Sequence, residues 1–159
     1  MMPDLSATRA ALVPALACAL TLGGLWAWTA AGAAGSPAAP QVTGARLLLP
    51  SNPDVTAAFF DIRNRGGADD ELLRVTSPAT GKAMLSRSVE RDGVGTMRMV
   101  RSMPLPAGRT VRMSLSGVDV MVNQPPSMLR EGDVVPFLLH FRDSGRVRVD
   151  AVVIRAGDL

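Results

Sequence analysis

The chain has 159 residues, with 17 Lys and Arg against 14 Asp and Glu, so its formal net charge is only +3. This length suits one domain with a short appended segment. The basic residues are scattered among acidic ones without interleaved aromatic residues, which argues against nucleic-acid binding. Cys18 is the single cysteine, so the rest of the chain can form no disulfide, thiolate metal site or cysteine nucleophile.

The N-terminal segment is strongly apolar. Residues 11–34 carry no charge and end in small residues, as a secretory signal peptide does before its cleavage site. The run is also long enough to cross a bilayer if it is retained. We therefore predict that residues 1–34 are a signal peptide or membrane anchor, with membrane attachment through residues 11–34 if uncleaved. We therefore also predict export to the periplasm or the cell surface. Cys18 is interpreted as an ordinary residue within the apolar part of this signal.

The remainder reads as a linker followed by one β domain. Residues 35–44 are small and Pro-bearing, which predicts a linker, and residues 45–156 form the predicted domain. No segment has a helical period, and many short strands at this spacing predict an all-β antiparallel sandwich or barrel. The predicted strands are Ala45–Leu49, Val55–Arg63, Glu71–Thr76, Lys82–Arg91, Val94–Arg101, Arg109–Leu115, Val118–Asn123, Val134–Arg142 and Gly145–Ile154, with Asp92-Gly93 as a hairpin turn.

Methionine is concentrated in the middle of the domain. Cores usually use Met sparingly, as a gap-filler. Thioether sulfur is also one of the few protein ligands that prefers Cu(I), so a soft-metal site and a Met-rich core are both open interpretations. The seven methionines of this stretch are Met84, Met97, Met99, Met103, Met113, Met121 and Met128.

Several short motifs carry a resemblance to a known family. The domain resembles the PCuAC-type periplasmic copper chaperones, which implies a cupredoxin-like β-sandwich and copper carriage outside the cytoplasm. It also implies a copper-accepting partner, such as a cytochrome oxidase assembly factor or subunit. The motifs are 55–60 followed by Asn64, the turn 77–79, Asp92-Gly93 before Met97-Arg98, the turn 105–108, and 129–133 before the last hairpin.

The copper motif of that family can be compared residue by residue. It consists of a His, ten residues, a Met, twenty-one residues, and His-x-Met. Met97 and Met121 match the two methionines in register, whereas Ser86 and Asp119 occupy the positions of the two histidines. A hydroxyl and a hard carboxylate are poorer Cu(I) ligands than imidazole, so the resemblance implies a degenerate site.

Other methionines could compensate for the missing histidines. Met84 and Met99 each lie two residues from a motif position and share its strand face, and Met103 could join them. The leading prediction is therefore a copper-chaperone-like protein that binds Cu(I) weakly through Met97 and Met121, with Met84 and Met99 recruited. The arginines 87, 98 and 101 would disfavour a cation unless they point away. The alternative is a metal-free interaction module at the cell surface that kept the fold.

Enzyme chemistry finds no support in the sequence. Phosphate loops and nucleophile elbows are absent, and the carboxylates Asp61, Asp69, Asp70 and Asp119 show no paired spacing. The single histidine, His140, lies in an apolar run, which favours a structural role over a catalytic one. We therefore predict that the protein is not an enzyme.

Overall fold

The computed structural model describes residues 5–30, 35–91 and 94–158. It divides into two compact units, residues 1–36 and 37–159. In the first unit, Leu5–Ala30 forms helix α1, which contains Pro14 and exposes the free thiol of Cys18. No helix among the fully described residues combines the length and the hydropathy needed to span a membrane. The signal or anchor role of residues 1–34 stays a prediction.

The second unit is a ten-stranded sheet that folds on itself around an apolar core. Along the sheet the strands follow the order β5-β4-β8-β2-β1-β10-β9-β3-β6, and β7 pairs with β2 beside this path. The strands are β1 (Pro40–Leu48), β2 (Val55–Asn64), β3 (Asp70–Thr76), β4 (Ala83–Arg91), β5 (Val94–Met99), β6 (Met103–Leu105), β7 (Thr110–Arg112), β8 (Val118–Asn123), β9 (Val134–Phe141) and β10 (Arg146–Ile154).

The predicted β-sandwich is confirmed, with one refinement. Neighbouring strands are antiparallel except for β1 and β10, which run parallel with Arg46 opposite Val152. The sheet is therefore mixed. A parallel pair needs a long crossover, and here nearly the whole domain lies between the two strands.

β1 starts earlier than predicted. It begins at Pro40, inside the segment 35–44 that the composition assigned to a linker. The reason is tertiary, because these residues pair with the end of β2, from Pro40 opposite Asn64 to Val42 opposite Ile62. The register shifts between Val42 and Gly44, which marks a bulge.

The side chain of Asn64 fixes this corner of the sandwich. Asn64 is fully buried, and its Oδ1 accepts hydrogen bonds from the amides of Ala39 and Gly66, each at 3.0 Å. Its Nδ2 donates to the carbonyls of Ala68, at 2.8 Å, and Leu105, at 3.1 Å. The Asn64 side chain therefore links three parts of the domain: the start of β1, the turn after β2, and strand β6.

Two short strands differ from the sequence prediction. β6 was not predicted, because three residues that include a proline show no alternation, and it forms by pairing with β3. β7 covers only Thr110–Arg112 of the strand predicted over 109–115, and Leu115 is exposed. β4 and β5 pair as the predicted hairpin, while its turn, Asp92-Gly93, lies outside the described residues.

The core is built from the inward faces of the long strands. Phe60 and Phe137 meet edge to face, with ring centroids 5.5 Å apart and an interplanar angle of 72°. On β4 and β8, Leu85 lies opposite Val120 and both are buried. Because side chains alternate along a strand, the neighbours of Leu85 and Val120 face the other side of the sheet.

Candidate metal centre

The outward sides of β4, β5 and β8 bring the copper-motif positions together. Across β4 and β8, Met84 lies opposite Met121 and Ser86 opposite Asp119. Across β4 and β5, Ser86 lies opposite Met99. Residues directly opposite in an antiparallel pair share a face, with Cβ atoms about 4.5–5.5 Å apart. We call this surface the methionine face; it consists of Met84, Ser86, Ser88, Met97, Met99, Asp119 and Met121.

Two of the nearby arginines, Arg87 and Arg98, point away from this face. Arg87 lies opposite Arg98 across β4 and β5, and both alternate with residues of the methionine face. Their exposed side chains therefore extend from the opposite side of the sheet. The repulsion of a cation that these two charges could have caused is thus reduced by their orientation.

The methionines fall into separate groups. Met97 and Met99 are about half exposed, at 52% and 53%, and Met84 and Met121 are partly buried. Met103 and Met113 belong to the apolar core instead. Met103 therefore does not join the candidate ligands as the sequence suggested, because it pairs with Leu72 on β3.

A cleft of about 320 Å³ opens on the methionine face. Three of the four copper-motif positions line it, namely Met97, Asp119 and Met121. Its other wall comes from β1 and β2, through residues such as Leu48 and Ala57. The pairing of Ala57 with Met121 explains this wall, which the sequence motif alone did not indicate.

The fourth motif position, Ser86, holds Asp119 in place. Both residues are buried, with 0% and 1% of their surface exposed, although they lie on the outward side of the sheet. The Ser86 hydroxyl donates a hydrogen bond to Oδ1 of Asp119. Oδ2 of Asp119 is buried and has no hydrogen-bond partner among the described residues. A buried carboxylate oxygen without a partner is costly, and a bound cation would remove that cost.

The candidate donor set combines two soft thioether sulfurs with one hard carboxylate. Two thioethers and one carboxylate suit Cu(I) better than Mg²⁺ or Ca²⁺, which prefer oxygen ligands alone. Within the described parts of the chain, no group of three His, Cys, Asp or Glu residues could hold a metal ion. The candidate donor set therefore suits a soft cation better than a hard one.

The remaining polar candidates have structural partners. His140 lies on β9, and its Nε2 is 2.9 Å from the Thr76 hydroxyl. Asp61 pairs with Arg46 at 3.2 Å. Asp70 accepts hydrogen bonds from the amides of residues 143 and 144 through its two oxygens, each at 3.1 Å. None of these groups lines the cleft on the methionine face.

Comparison with known proteins identifies relatives over most of the domain. A family model described as "Putative lipoprotein LpqE-like" matches residues 37–153. A curated relative from Leifsonia xyli, "Putative lipoprotein Lxx21020", is 30% identical over 90 residues, which are 56% of this chain and 54% of that protein. The match thus spans about half the length of that relative.

Solved structures confirm the resemblance to PCuAC domains. The apo PCuAC domain from PmoF1 matches with a TM-score of 0.62 at 19% identity, over 76% of this chain and 98% of that one. The copper-bound PCuAC domain from PmoF2 matches with a TM-score of 0.61 at 18% identity, over 76% and 97%. Cu(I)-bound DR1885 from Deinococcus radiodurans matches with a TM-score of 0.56 at 26% identity, over 71% and 76%.

Proposed function

The chain belongs to the LpqE-like family, and we propose that this member carries Cu(I) outside the cytoplasm and passes it to a partner protein. The observation that supports the proposal most directly is the cleft that Met97, Asp119 and Met121 share. Two soft sulfurs and one buried anionic oxygen suit a monovalent soft cation. Related folds support the same cargo, since the PmoF2 domain and DR1885 are described as copper-bound.

The donors divide by accessibility in a way that suits transfer. Asp119 is buried and held by Ser86, so it forms the fixed part of the site. Met97 is half exposed at the mouth, and Met99 is equally accessible beside it on β5. Met84 lies opposite Met121 on β4. Their positions on the methionine face support the proposal that Met84 and Met99 take part as a partner's ligands replace those of the carrier one at a time.

Cellular placement follows from two separate observations. The matching family and the Leifsonia xyli relative are both described as lipoproteins, a class that is exported and held at a membrane. Residues 11–34 have the apolar composition of an export signal. A copper-accepting protein outside the cytoplasm, such as a cytochrome oxidase assembly factor or subunit, is then the partner that the PCuAC resemblance implies. Transfer requires ligand exchange and no covalent catalysis.

An anaerobic Cu(I) titration of residues 35–159 against a chromophoric chelator tests the proposal. We expect one-to-one binding that Met97→Leu/Met121→Leu abolishes. Met128→Leu is the matched control, because Met128 is highly exposed in a loop and does not line the cleft. Absence of binding, or equal weak binding by all three proteins, would refute copper carriage.

The alternative function is a metal-free interaction module. The observation in its favour is the hydrogen bond between Ser86 and Asp119, which engages both side chains within the protein. The apolar wall of Leu48 and Ala57 could then receive a side chain from another protein. A failed titration would favour this alternative over copper carriage.

A further inference from the structure

The outward side of β3, β9 and β10 carries a row of basic residues in register. Arg74 lies opposite His140 across β3 and β9, and His140 lies opposite Arg146 across β9 and β10. With strands about 4.8 Å apart, the two arginines flank the histidine on one surface. The next row holds Thr76, Leu138 and Arg148 in the same strand order. We call this surface the arginine face.

The charge of the arginine face is not neutralised within the protein. Arg74, Arg146 and Arg148 are exposed, and none of them forms an ion pair among the described residues. Asp150 follows two residues after Arg148 and is the acidic residue that shares this side of β10. Three positive charges against one negative charge leave a net positive surface.

His140 lies between two of these arginines. Its imidazole bonds to the Thr76 hydroxyl at 2.9 Å. Burial, followed by the charges of Arg74 and Arg146, lowers the pKa of His140 below its ordinary value of 6.5. The lowered pKa favours the neutral imidazole, which can act as a hydrogen-bonding group between the two guanidinium groups.

An apolar region adjoins the basic rows. A cleft of about 390 Å³ runs beside Leu138, and its lining includes Pro78, Pro136 and the Arg148 side chain. Farther along the same side of β9 and β10, Val134 lies opposite Val152, with 57% and 44% of their surfaces exposed. The face is therefore basic at one end and apolar at the other.

We propose that the arginine face binds the anionic phospholipid surface of a membrane. Guanidinium groups match phosphate oxygens in two-pronged geometry, and unpaired arginines carry no internal competitor for them. Exposed Val and Pro side chains suit the boundary between headgroups and acyl chains. Lipid is favoured over an acidic protein because the surface combines charge with apolar area and because the family is described as lipoproteins, which are held at membranes.

Vesicle binding tests this proposal. Residues 35–159 are the suitable protein, since they hold the whole sheet and its core and lack the apolar segment 11–34, which is the predicted membrane attachment. We expect sedimentation with phosphatidylglycerol vesicles and none with phosphatidylcholine vesicles. Because each basic residue near an anionic surface adds ~1 kcal/mol, Arg146→Gln/Arg148→Gln should weaken phosphatidylglycerol binding roughly 30-fold.

A matched control distinguishes binding by the arginine face from a general effect of the protein's net charge. Arg87→Gln/Arg98→Gln removes the same two charges from two exposed strand residues elsewhere on the domain, and it should leave vesicle binding unchanged. A second variant, Val134→Thr/Val152→Thr, should weaken binding while keeping β-branched residues in both strands. Equal loss from the two arginine pairs, or no binding to phosphatidylglycerol, would overturn the proposal. Release by inorganic phosphate, but not by chloride at equal ionic strength, would also overturn it in favour of a small-anion site.

Discussion

Ser86 donates a hydrogen bond to Asp119 across β4 and β8, so the two residues that the predicted copper motif aligns with histidines bond to each other. The motif spacing predicts that these two positions keep the register of the family with different chemistry. One carboxylate oxygen is satisfied by this bond, and the other is buried without a partner among the described residues. The predicted site therefore contains a buried carboxylate that is only partly hydrogen-bonded within the described residues.

The first prediction concerns the charge of Asp119. Asp119→Asn should stabilise the metal-free domain by about 1 kcal/mol, because a neutral amide costs less to bury than a carboxylate with an unpaired oxygen. The same change should weaken Cu(I) binding at least ~10-fold, since it removes the negative charge beside the cation. Urea unfolding with and without Cu(I) measures both effects. Asp150→Asn is the exposed control, and a destabilised Asp119→Asn domain with unchanged Cu(I) affinity would contradict the expectation.

The second prediction separates surface methionines from core methionines. Met97→Leu should change the free energy of unfolding by less than about 0.5 kcal/mol, because the side chain is half exposed. Met103→Ala should cost about 2–5 kcal/mol, because it leaves a cavity in the core. Chemical denaturation of the two variants beside the parent domain measures the difference. A large loss from Met97→Leu would mean that this methionine packs as a core residue.

Short runs of strand-forming residues bounded by turn residues made much of the fold readable from the sequence. The centres of β2, β8, β9 and β10 were predicted in this way. The start of β1 at Pro40 was not predicted, because its small residues have the composition of a linker. They form a strand by pairing with β2. β6 likewise depends on β3, which no local pattern reveals.

Part of the candidate site was also predictable from the sequence. The spacing of Met97 and Met121 indicated the family positions, and the structure places both beside one cleft. The bond between Ser86 and Asp119 joins residues 33 positions apart, and neither residue type indicates it. The orientation of Arg87 depends on strand alternation within the assembled sheet, so the sequence could raise the question of repulsion without answering it.

The third prediction concerns pH. Because the pKa of His140 is lowered below 6.5, the unfolded chain takes up a proton there before the folded protein does. His140 should therefore make the folded state less stable as pH falls through 6.5, and the effect should be complete below the folded-state pKa. Urea midpoints above and below pH 6.5, compared with those of His140→Gln, measure this contribution. Burial is the largest cause of the lowered pKa, followed by the charges of Arg74 and Arg146. An NMR titration in which Arg146→Gln fails to raise the pKa of His140 would contradict the contribution assigned to Arg146.

The fourth prediction concerns the corner that Asn64 holds. Asn64→Asp keeps the shape but loses both donors to the carbonyls of Ala68 and Leu105, and it places a negative charge beside them. We expect a loss of about 3 kcal/mol or more in the free energy of unfolding. Asn123→Asp provides a control, because Asn123 is only partly buried at the end of β8. Equal small losses from the two variants would show that the four bonds of Asn64 contribute little.

The last prediction restores the ligands that the family motif contains. Ser86→His/Asp119→His would place two imidazoles opposite each other on β4 and β8, on the same face as Met97 and Met121. Because loss of outer partners alone typically costs 10–100-fold, gain of two direct ligands should raise Cu(I) affinity by more than about 100-fold. Ser88→His/Asp119→His is the matched control, since Ser88 lies opposite Met97 on the same face but one row farther from Asp119. Chelator competition measures the affinities, and urea unfolding shows whether the larger side chains are accommodated. Equal gains in the two double variants would mean that any pair of histidines on this face suffices. A gain confined to position 86 would support the prediction that positions 86 and 119 correspond to the two histidines of the family's copper motif.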